Sequence, residues 1–262
     1  MNIKLIAIDV DGTLLDDQHQ LSVQNEQAIQ KALAANIQVS LATGRMRHSC
    51  KWLIERLQLN SPGIFIQGLS VCDAQGKVLF GEFLKVSVLE RFLPFATEHG
   101  LSFVAFTDTQ ILTLERDEKT DIILSYDEPA PIVVPSLLAP AIHKIIIFDD
   151  PARVQKIRPL LAKHMGDLAS VLITQPEMVE IMPPNTSKGH SLKWLASEMN
   201  LPLENVMAIG NAENDLTMIQ AAGIGVAVKN SPKLIKDIAD IVVASNNISG
   251  VAEAVTLTLS TN

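Results

Sequence analysis

The chain is poor in several kinds of residue whose abundance would indicate a function. Aromatic residues make up only 4% of its 262 positions, and they are not interleaved with any run of lysine or arginine. Proteins that bind nucleic acid or an anionic membrane usually carry such a basic stripe. The net charge is −8 instead. We therefore expect neither nucleic acid nor a membrane as a partner, and we favour a small molecule.

Cysteines and long apolar segments are also scarce. Cys50 and Cys72 are the only cysteines, and because their spacing fits neither a metal site nor a redox motif, we expect both to be reduced. The most apolar long stretch, residues 132–148, is interrupted by prolines, a histidine and a lysine. The acidic Asp9 comes too early for a signal-peptide core. We expect a soluble, cytoplasmic protein.

Glycine is distributed unevenly, and this unevenness indicates the domain organisation. Of the 13 glycines, 11 lie outside residues 82–184, whereas prolines cluster in the second half of that span. The chain is also long for one compact unit. We predict an inserted domain, residues 82–184, that separates the two parts of a core domain, residues 1–81 and 185–262.

The core segments alternate short apolar runs with helical patterns, which predicts a Rossmann-like α/β fold with a parallel sheet and helices on both faces. The predicted core strands are 5–8, 38–42, 63–67, 206–209, 224–228 and 241–244, and the predicted core helices are 22–35, 48–57, 188–199 and 215–222. The insertion is predicted to be a small α+β cap with strands 101–106, 109–114, 142–148 and 178–182 and helices 88–99 and 153–163.

Polar residues stand where the predicted core strands end. Asp9 and Asp11 follow strand 5–8, and Gly12 and Thr13 come next. Two carboxylates one residue apart repel each other, so their position favours a bound cation or a proton transfer. Considered alone, the same residues also fit an acidic turn. Because ligands of parallel α/β sheets bind beyond the carboxyl ends of the strands, this edge is the predicted functional site.

Three further segments at the same predicted edge carry groups suited to an anion or a metal. Thr43 and Gly44 offer a hydroxyl and backbone N–H groups at a helix start. Lys188 opens a helix, where a cation opposes the helix dipole and therefore indicates an anionic ligand. The acidic turn 210–215 follows another strand. Each segment alone fits an ordinary turn, but the ordered set of four is much more specific.

This ordered set resembles the four motifs of the haloacid dehalogenase superfamily of phosphohydrolases, and within it the Cof-type group of class IIB, which carries a large cap between the second and third motifs. The resemblance rests on residues 9–13, 42–45, 187–189, 210–215 and 222–227. It implies a Mg²⁺-dependent phosphatase acting on a small phosphorylated metabolite. The insertion resembles the cap only in size and placement, so it says little about the substrate.

The resemblance also implies roles for individual residues. Asp9 is expected to attack phosphorus and form an aspartyl-phosphate, while Asp11 protonates the leaving alcohol and then deprotonates the attacking water. The residues expected to hold the phosphate oxygens are Val10, Thr43, Gly44, Lys188 and Asn214. The residues expected to form the Mg²⁺ site, directly or as supports, are Asp9, Asp11 through its carbonyl, Asn211 and Asp215.

Two positions depart from the family's pattern. Asn211 stands where the family usually has aspartate, so the metal site loses one formal charge and we expect the enzyme to need more Mg²⁺ than its relatives. Gln67 stands before Gly68 where asparagine is common, and no role is assigned to it. Arg45 fits either a substrate contact or a contact that ties the cap to the core, and we favour the structural role.

The sequence leaves several functions open. The main hypothesis is hydrolysis of small phosphate monoesters, in particular sugar phosphates. The nearest alternative is a phosphatase of a cofactor-related phosphate, such as a pyridoxal or flavin precursor. A phosphomutase and a noncatalytic phospho-ligand sensor with a weakened metal site are two others. The presence together of Asp9, Asp11 and Lys188 argues against the sensor. The sequence predicts no oligomeric state.

Overall fold

A computed structural model describes residues 2–261 and separates the chain into two compact units. The first unit consists of the residues up to Phe80 together with those from Ser187 onward, and the second is Gly81–Thr186. The predicted insertion, residues 82–184, falls inside the second unit. Each unit encloses buried apolar clusters of its own.

Strands and helices alternate along most of the first unit, whereas several strands of the second follow one another directly. The strands in chain order are β1 (Leu5–Ile8), β2 (Gln38–Leu41), β3 (Gly63–Phe65), β4 (Ser70–Cys72), β5 (Val78–Gly81), β6 (Ser102–Phe106), β7 (Ile111–Thr113), β8 (Ile132–Val133), β9 (Lys144–Phe148), β10 (Ser170–Gln175), β11 (Met178–Met182), β12 (Val206–Gly210), β13 (Ile224–Val228) and β14 (Ile241–Val243). The α-helices are α1 (Val23–Ala34), α2 (Lys51–Arg56), α3 (Val86–Glu98), α4 (Pro151–Met165), α5 (Lys188–Glu198), α6 (Leu216–Ala221), α7 (Lys233–Ile238) and α8 (Gly250–Thr261).

The first unit is built on a parallel sheet with the strand order β14-β13-β12-β1-β2. β1, β12 and β13 are buried along their whole length, as expected for strands with helices on both faces. Ile8 at the end of β1 lies opposite Ile209 of β12 and Leu41 of β2. Because these strands run in one direction, their carboxyl ends meet at a single edge. The predicted α/β fold class is confirmed.

The helix that begins with Lys188 is fixed at this edge by two local contacts. The Ser187 side chain caps α5 by accepting a hydrogen bond from the backbone N–H of His190 at 3.1 Å. A Cβ atom at Gly189 would lie 2.3 Å from the carbonyl oxygen of Thr217, so glycine lets α5 pack directly against α6. These contacts hold the backbone of Lys188 in place.

The second unit is α+β and contains a six-stranded sheet of order β10-β11-β9-β6-β7-β8. Helices α3 and α4 pack on one face of this sheet through a buried apolar cluster that includes Phe92, Phe103 and Ile147. On the opposite face, Lys144 of β9 and Glu180 of β11 form a buried ion pair at 3.2 Å. Lys144 and Glu180 are only 2% and 3% exposed, and Thr174 Oγ1 donates a further hydrogen bond to Glu180 at 3.2 Å.

Several elements differ from the sequence-based predictions. The helix expected over 48–57 is only α2, and the helix expected over 215–222 is preceded by a 3₁₀ turn at Glu213–Asp215. β4, β5, β8, β10, α7 and α8 are not predicted. α8 is rich in valine and threonine, whose β-branched side chains weaken the helical signal, and it packs against α1. Among the helices of residues 2–261, none has the length and apolar character needed to cross a bilayer.

Candidate active site

Three side chains from distant parts of the first unit form a buried ion cluster at the carboxyl end of the parallel sheet. Asp9 directly follows β1, Lys188 begins α5 and Asp215 lies in the turn after β12. Lys188 Nζ donates to Asp9 Oδ1 and to Asp215 Oδ1, each at 2.7 Å. None of the three side chains is more than 8% exposed. One cation therefore lies between two carboxylates, and the cluster has one excess negative charge when all three groups are ionised.

Burial and the excess charge together raise the proton affinity of Asp9. Burial and the neighbouring Asp215 raise the pKa of Asp9 from 3.8 to about 7, although Lys188 acts in the opposite direction. Burial also lowers the pKa of Lys188, but the two carboxylates outweigh burial and hold that pKa above its usual range. The lysine therefore stays charged, and Asp9 is the group at which a proton or another cation is favoured.

Asp215 also fixes the turn that follows β12. Its Oδ2 accepts hydrogen bonds from the backbone N–H groups of Asn211 at 2.9 Å and Ala212 at 3.0 Å. A Cβ atom at Gly210 would lie 2.6 Å from the Cβ of Asp215, so only glycine permits this approach. Both carboxylate oxygens of Asp215 are thus bound to donors of the protein, namely the turn and Lys188.

The first strand ends in a wide turn that contains the other residues of the first motif. The backbone N–H of Leu15 donates to the carbonyl oxygen of Val10 at 3.0 Å, and Gly12 has a φ of +72°, which only glycine adopts readily. Asn230 Nδ2 donates to the Gly12 carbonyl oxygen at 2.8 Å. The turn therefore holds the backbone of Val10 and Asp11 at the sheet edge.

The side chain of Asn211 lies among oxygens at the end of β1. Its amide end is 3.0 Å from Asp9 Oδ2, 3.1 Å from the Asp11 carbonyl oxygen and 3.0 Å from Thr13 Oγ1. With its nitrogen on this side, the amide donates to these oxygens. With its oxygen on this side, it accepts a hydrogen bond from Thr13, and three oxygens converge. A neutral amide can be donor or acceptor here, which an ionised aspartate cannot.

This group of oxygens fits a small, hard cation. Carboxylate, carbonyl and amide oxygens are the ligand types that Mg²⁺ takes in proteins, and the excess negative charge of the buried cluster favours a cation. Within residues 2–261, no three His, Cys, Asp or Glu side chains form a metal-binding group. A metal at this edge would therefore use the Asp11 carbonyl and the Asn211 amide besides Asp9.

Asp11 has two neighbours that the sequence did not assign to the site. Arg45 donates from Nε to Asp11 Oδ2 at 2.8 Å and from Nη2 to Oδ1 at 2.6 Å, and His19 Nδ1 lies 3.2 Å from Oδ1. Burial tends to raise the pKa of Asp11, but the hydrogen bonds and charge of Arg45, helped by His19, lower it. Arg45 therefore forms an ion pair within the first unit, and its partner is the predicted general acid.

The remaining predicted phosphate ligands lie at the ends of neighbouring segments. Thr43 is buried, and its Oγ1 accepts a hydrogen bond from the backbone N–H of Arg45 at 3.1 Å. Gly44 follows it, and a Cβ atom there would lie 2.7 Å from Gln67 Nε2. Asn214 Nδ2 donates to Gln67 Oε1 at 2.8 Å. Gln67 therefore lies between two predicted phosphate ligands.

A parallel sheet whose polar edge joins two acidic segments, a hydroxyl and a buried lysine defines a phosphohydrolase-type α/β site. The chain belongs to the family of haloacid dehalogenase-like hydrolases, whose family model matches residues 6–255. Within that superfamily it is a Cof-type phosphatase related to subclass IIB. The family resemblance and the enzyme class predicted from the four motifs are both confirmed.

Similar proteins of named function include phosphatases that match along their whole length. A protein of Streptococcus pyogenes serotype M6 named as a phosphatase is 31% identical over 97% of this chain and 98% of its own length. A 5-amino-6-(5-phospho-D-ribitylamino)uracil phosphatase of Bacillus subtilis is 29% identical over 97% of this chain and 95% of its own length. Endoribonuclease YBEY, chloroplastic, of Arabidopsis thaliana is 36% identical over 95% of this chain, but the chain spans only 45% of that protein.

The fold is also shared with solved structures. A haloacid dehalogenase-like hydrolase from Bacteroides thetaiotaomicron superimposes with a TM-score of 0.90 at 25% sequence identity. The alignment covers 98% of this chain and 99% of that one. The arrangement of strands and helices described above is therefore that of a known hydrolase fold.

Proposed function

We propose that the protein is a Mg²⁺-dependent phosphatase that hydrolyses small phosphate monoesters through an aspartyl-phosphate on Asp9. The observation that carries this proposal is the contact of Asp9 Oδ1 with the buried Lys188 at 2.7 Å. A carboxylate held against a buried cation can approach a phosphate dianion that it would otherwise repel. The nearby Asp11, Thr43 and Gly44 supply the other groups that the reaction needs.

In the first half of the proposed reaction, a carboxylate oxygen of Asp9 attacks phosphorus. The bond between phosphorus and the ester oxygen breaks, and the leaving oxygen takes a proton from Asp11. Lys188 and the donors of Thr43, Gly44 and Asn214 stabilise the charge on the phosphoryl oxygens. The products of this step are the free alcohol and a phosphorylated Asp9.

In the second half, water attacks phosphorus of the aspartyl-phosphate. Asp11, now ionised, accepts a proton from that water, and the bond between phosphorus and the Asp9 oxygen breaks. Inorganic phosphate leaves, and Asp9 is regenerated as a carboxylate. Arg45 lowers the pKa of Asp11, which suits the ionised form that this step requires and opposes the protonated form that the first half requires.

The groups suited to Mg²⁺ are Asp9 Oδ2, the Asp11 carbonyl oxygen and Asn211. When bound, Mg²⁺ supplies positive charge that offsets the negative charge shared by Asp9 and the phosphate. Asp215 supports the site through Lys188 and through the backbone of Asn211, because both of its oxygens are already hydrogen-bonded.

The proposed substrates are small phosphorylated metabolites, with sugar phosphates as the first class. A second candidate, a cofactor-precursor phosphate, is favoured by one specific observation, the full-length similarity to an aminouracil phosphatase from Bacillus subtilis. The substrate in that name carries its phosphate on a ribityl chain, a sugar alcohol, so the two classes share a primary phosphate ester on a polyol. A panel of such esters, cyclic and open-chain, separates the two classes by kcat/KM.

The first test is hydrolysis of p-nitrophenyl phosphate during a Mg²⁺ titration, with Asp9→Asn as the control. Turnover that depends on Mg²⁺ and is lost in the variant supports the proposal. Acid quench of the wild type during turnover should trap phosphate on the protein. Turnover that persists in Asp9→Asn would overturn the aspartyl mechanism, and absence of turnover on every ester tried, at high Mg²⁺, would favour the phospho-ligand sensor.

A further inference from the structure

The backbone is strained directly after β3, at a point the proposed reaction does not use. Ile66, Gln67 and Gly68 follow one another with φ values of +52°, +60° and +92°. A left-handed conformation is ordinary for glycine, but it is a clear outlier for a β-branched residue such as isoleucine. Strain of this kind persists where the surrounding structure imposes it, and it is concentrated at functional sites.

Neighbouring parts of the active site hold this segment in its strained form. The backbone N–H groups of Ile66 and Gln67 donate to the carbonyl oxygens of Arg45 and Thr43, at 3.0 and 3.1 Å. A Cβ atom at Gly68 would lie 2.5 Å from the carbonyl oxygen of Ser187. The segment is therefore packed between the loop after β2 and the start of α5.

The strain determines where the Gln67 side chain lies. Its amide rests on Gly44, where a Cβ atom would lie 2.7 Å from Nε2, and its Oε1 accepts the hydrogen bond from Asn214 at 2.8 Å. Within residues 2–261, Nε2 has no hydrogen-bond partner, and the side chain is half-buried. The two N–H groups of the Gln67 amide therefore lie between Gly44 and Asn214, two residues expected to bind phosphate oxygens.

We propose that Gln67 is a substrate-binding residue whose Nε2 donates a hydrogen bond to an oxygen of the phosphate group. This inference rests on the proposed function, because it uses the phosphate position next to Gly44 and Asn214. The Asn214 contact orients the Gln67 amide, since it fixes Oε1 and leaves only the nitrogen facing the ligand. With this left-handed backbone the amide lies over Gly44.

Three substitutions separate a phosphate donor from a residue that only holds Asn214. Gln67→Glu keeps an oxygen that can accept from Asn214 but removes the donor and adds a negative charge. Gln67→Leu removes both interactions, and Gln67→Asn keeps the amide on a shorter side chain. The matched control is Gln58→Glu, because Gln58 is an exposed glutamine with a left-handed φ of +54° at the end of α2.

The readouts are the inhibition constant of inorganic phosphate, its binding by calorimetry, and kcat and KM for p-nitrophenyl phosphate. We expect Gln67→Glu to weaken phosphate binding and raise KM by about tenfold or more, with a smaller change in kcat, since one hydrogen bond to a charged group is lost and a repulsion is added. The rise in KM should be smaller in Gln67→Leu than in Gln67→Glu, and it should be smallest in Gln67→Asn. Gln58→Glu should show no rise in KM.

Two results would overturn this inference. Phosphate binding unchanged in Gln67→Glu and Gln67→Leu would show that Nε2 does not contact phosphate. Gln67→Glu equal to the wild type with Gln67→Leu impaired would assign Gln67 to positioning Asn214. Failure of the proposed function is recognised separately, because the wild type would then turn over no ester, whether or not it binds phosphate. Thermal unfolding of each variant, compared with Gln58→Glu, identifies losses caused by misfolding.

Discussion

The two units each bury a lysine, and they neutralise it differently. In the second unit, Lys144 faces one carboxylate, Glu180, at 3.2 Å, with the ring of Phe106 4.8 Å from its Nζ. In the first unit, Lys188 faces two carboxylates, Asp9 and Asp215, each at 2.7 Å. The pair in the second unit is balanced in charge, whereas the cluster in the first unit has one excess negative charge.

The difference indicates which cluster serves structure and which serves chemistry. In a buried pair with one charge of each sign, each group neutralises the other, so removing one of them leaves an uncompensated buried charge. Burying a second carboxylate next to a lysine that is already neutralised costs desolvation free energy, and no second cation inside the cluster compensates for it. Burial, together with the charge of Asp215, therefore raises the pKa of Asp9 to about 7 and creates a place for a proton, a metal ion or a phosphoryl group.

The largest effect expected from breaking this asymmetry is the loss of catalysis in Asp9→Asn. The variant keeps Lys188 paired with Asp215, so it should fold, but it lacks the proposed nucleophile. We expect kcat/KM for p-nitrophenyl phosphate to fall by at least about 10³-fold. A loss of less than about tenfold in a folded variant would contradict the assignment of Asp9.

Stability should respond in the opposite way at the two clusters. Glu180→Gln leaves Lys144 buried without a counter-charge and should lower the free energy of unfolding by about 3–5 kcal/mol. Asp9→Asn should instead raise it at neutral pH, because Lys188 retains one carboxylate and the raised pKa of Asp9 means that its charge opposes folding. Urea unfolding of the two variants measures this contrast.

A paired replacement provides the control for the second cluster. Lys144→Met combined with Glu180→Leu removes both charges and should recover most of the lost stability. If the double variant were as unstable as Glu180→Gln, the loss would come from packing and not from the unpaired lysine.

The excess charge also predicts a pH dependence of stability for the metal-free protein. The pKa of Asp9 is raised from 3.8 to about 7 on folding, so between these values the folded protein keeps a proton that the unfolded chain has lost. The contribution of Asp9 to the free energy of unfolding therefore falls as pH rises through this range, by about 2–3 kcal/mol from about pH 5 to about pH 7.

This pH effect is measured as the difference between the wild type and Asp9→Asn in urea unfolding with a chelator present. The wild type should lose stability relative to the variant as pH rises. Parallel pH curves for the two proteins would show that Asp9 has an ordinary pKa in the folded chain.

The smallest expected effect concerns the one neutral side chain among the proposed metal ligands. Asn211→Asp adds a negative charge next to Asp9 and should lower the Mg²⁺ concentration for half-activity by about tenfold. The free energy of that change is only a fraction of the ~4 kcal/mol by which two unit charges about 4 Å apart interact at an effective dielectric near 20. Without metal, the same variant should melt at a lower temperature, because the carboxylate repels Asp9. Asn36→Asp, at an exposed position after α1, is the control, and equal Mg²⁺ requirements for the wild type and Asn211→Asp would sink the idea.

The strand ends explain how much of the site the sequence could predict. Asp9, Thr43 and Asn211 each follow an apolar run within two residues, and parallel strands bring such positions to one edge. The meeting of Asp9 with Lys188, 179 positions apart, was predictable only because the motif order resembles a family. Local pattern alone identifies the elements but not their partners.

The residues that the sequence left unassigned depend on side-chain direction. Arg45 reaches back across 34 positions to Asp11, and no spacing rule names that partner. Gln67 lies over Gly44 because Ile66 takes a left-handed conformation, which the sequence disfavours at isoleucine. Tertiary contacts impose that conformation, so its consequence for the site is visible only in the folded structure.

The position of β1 inside the sheet affects the order in which the site can form during synthesis. Its neighbour β2 is made soon afterwards, but its other neighbour, β12, lies beyond the entire second unit. Until the ribosome has released α5 and β12, β1 has an open edge and Asp9 has no lysine beside it. Nascent chains that stop before Lys188 should therefore be unable to hold or hydrolyse a phosphate ester.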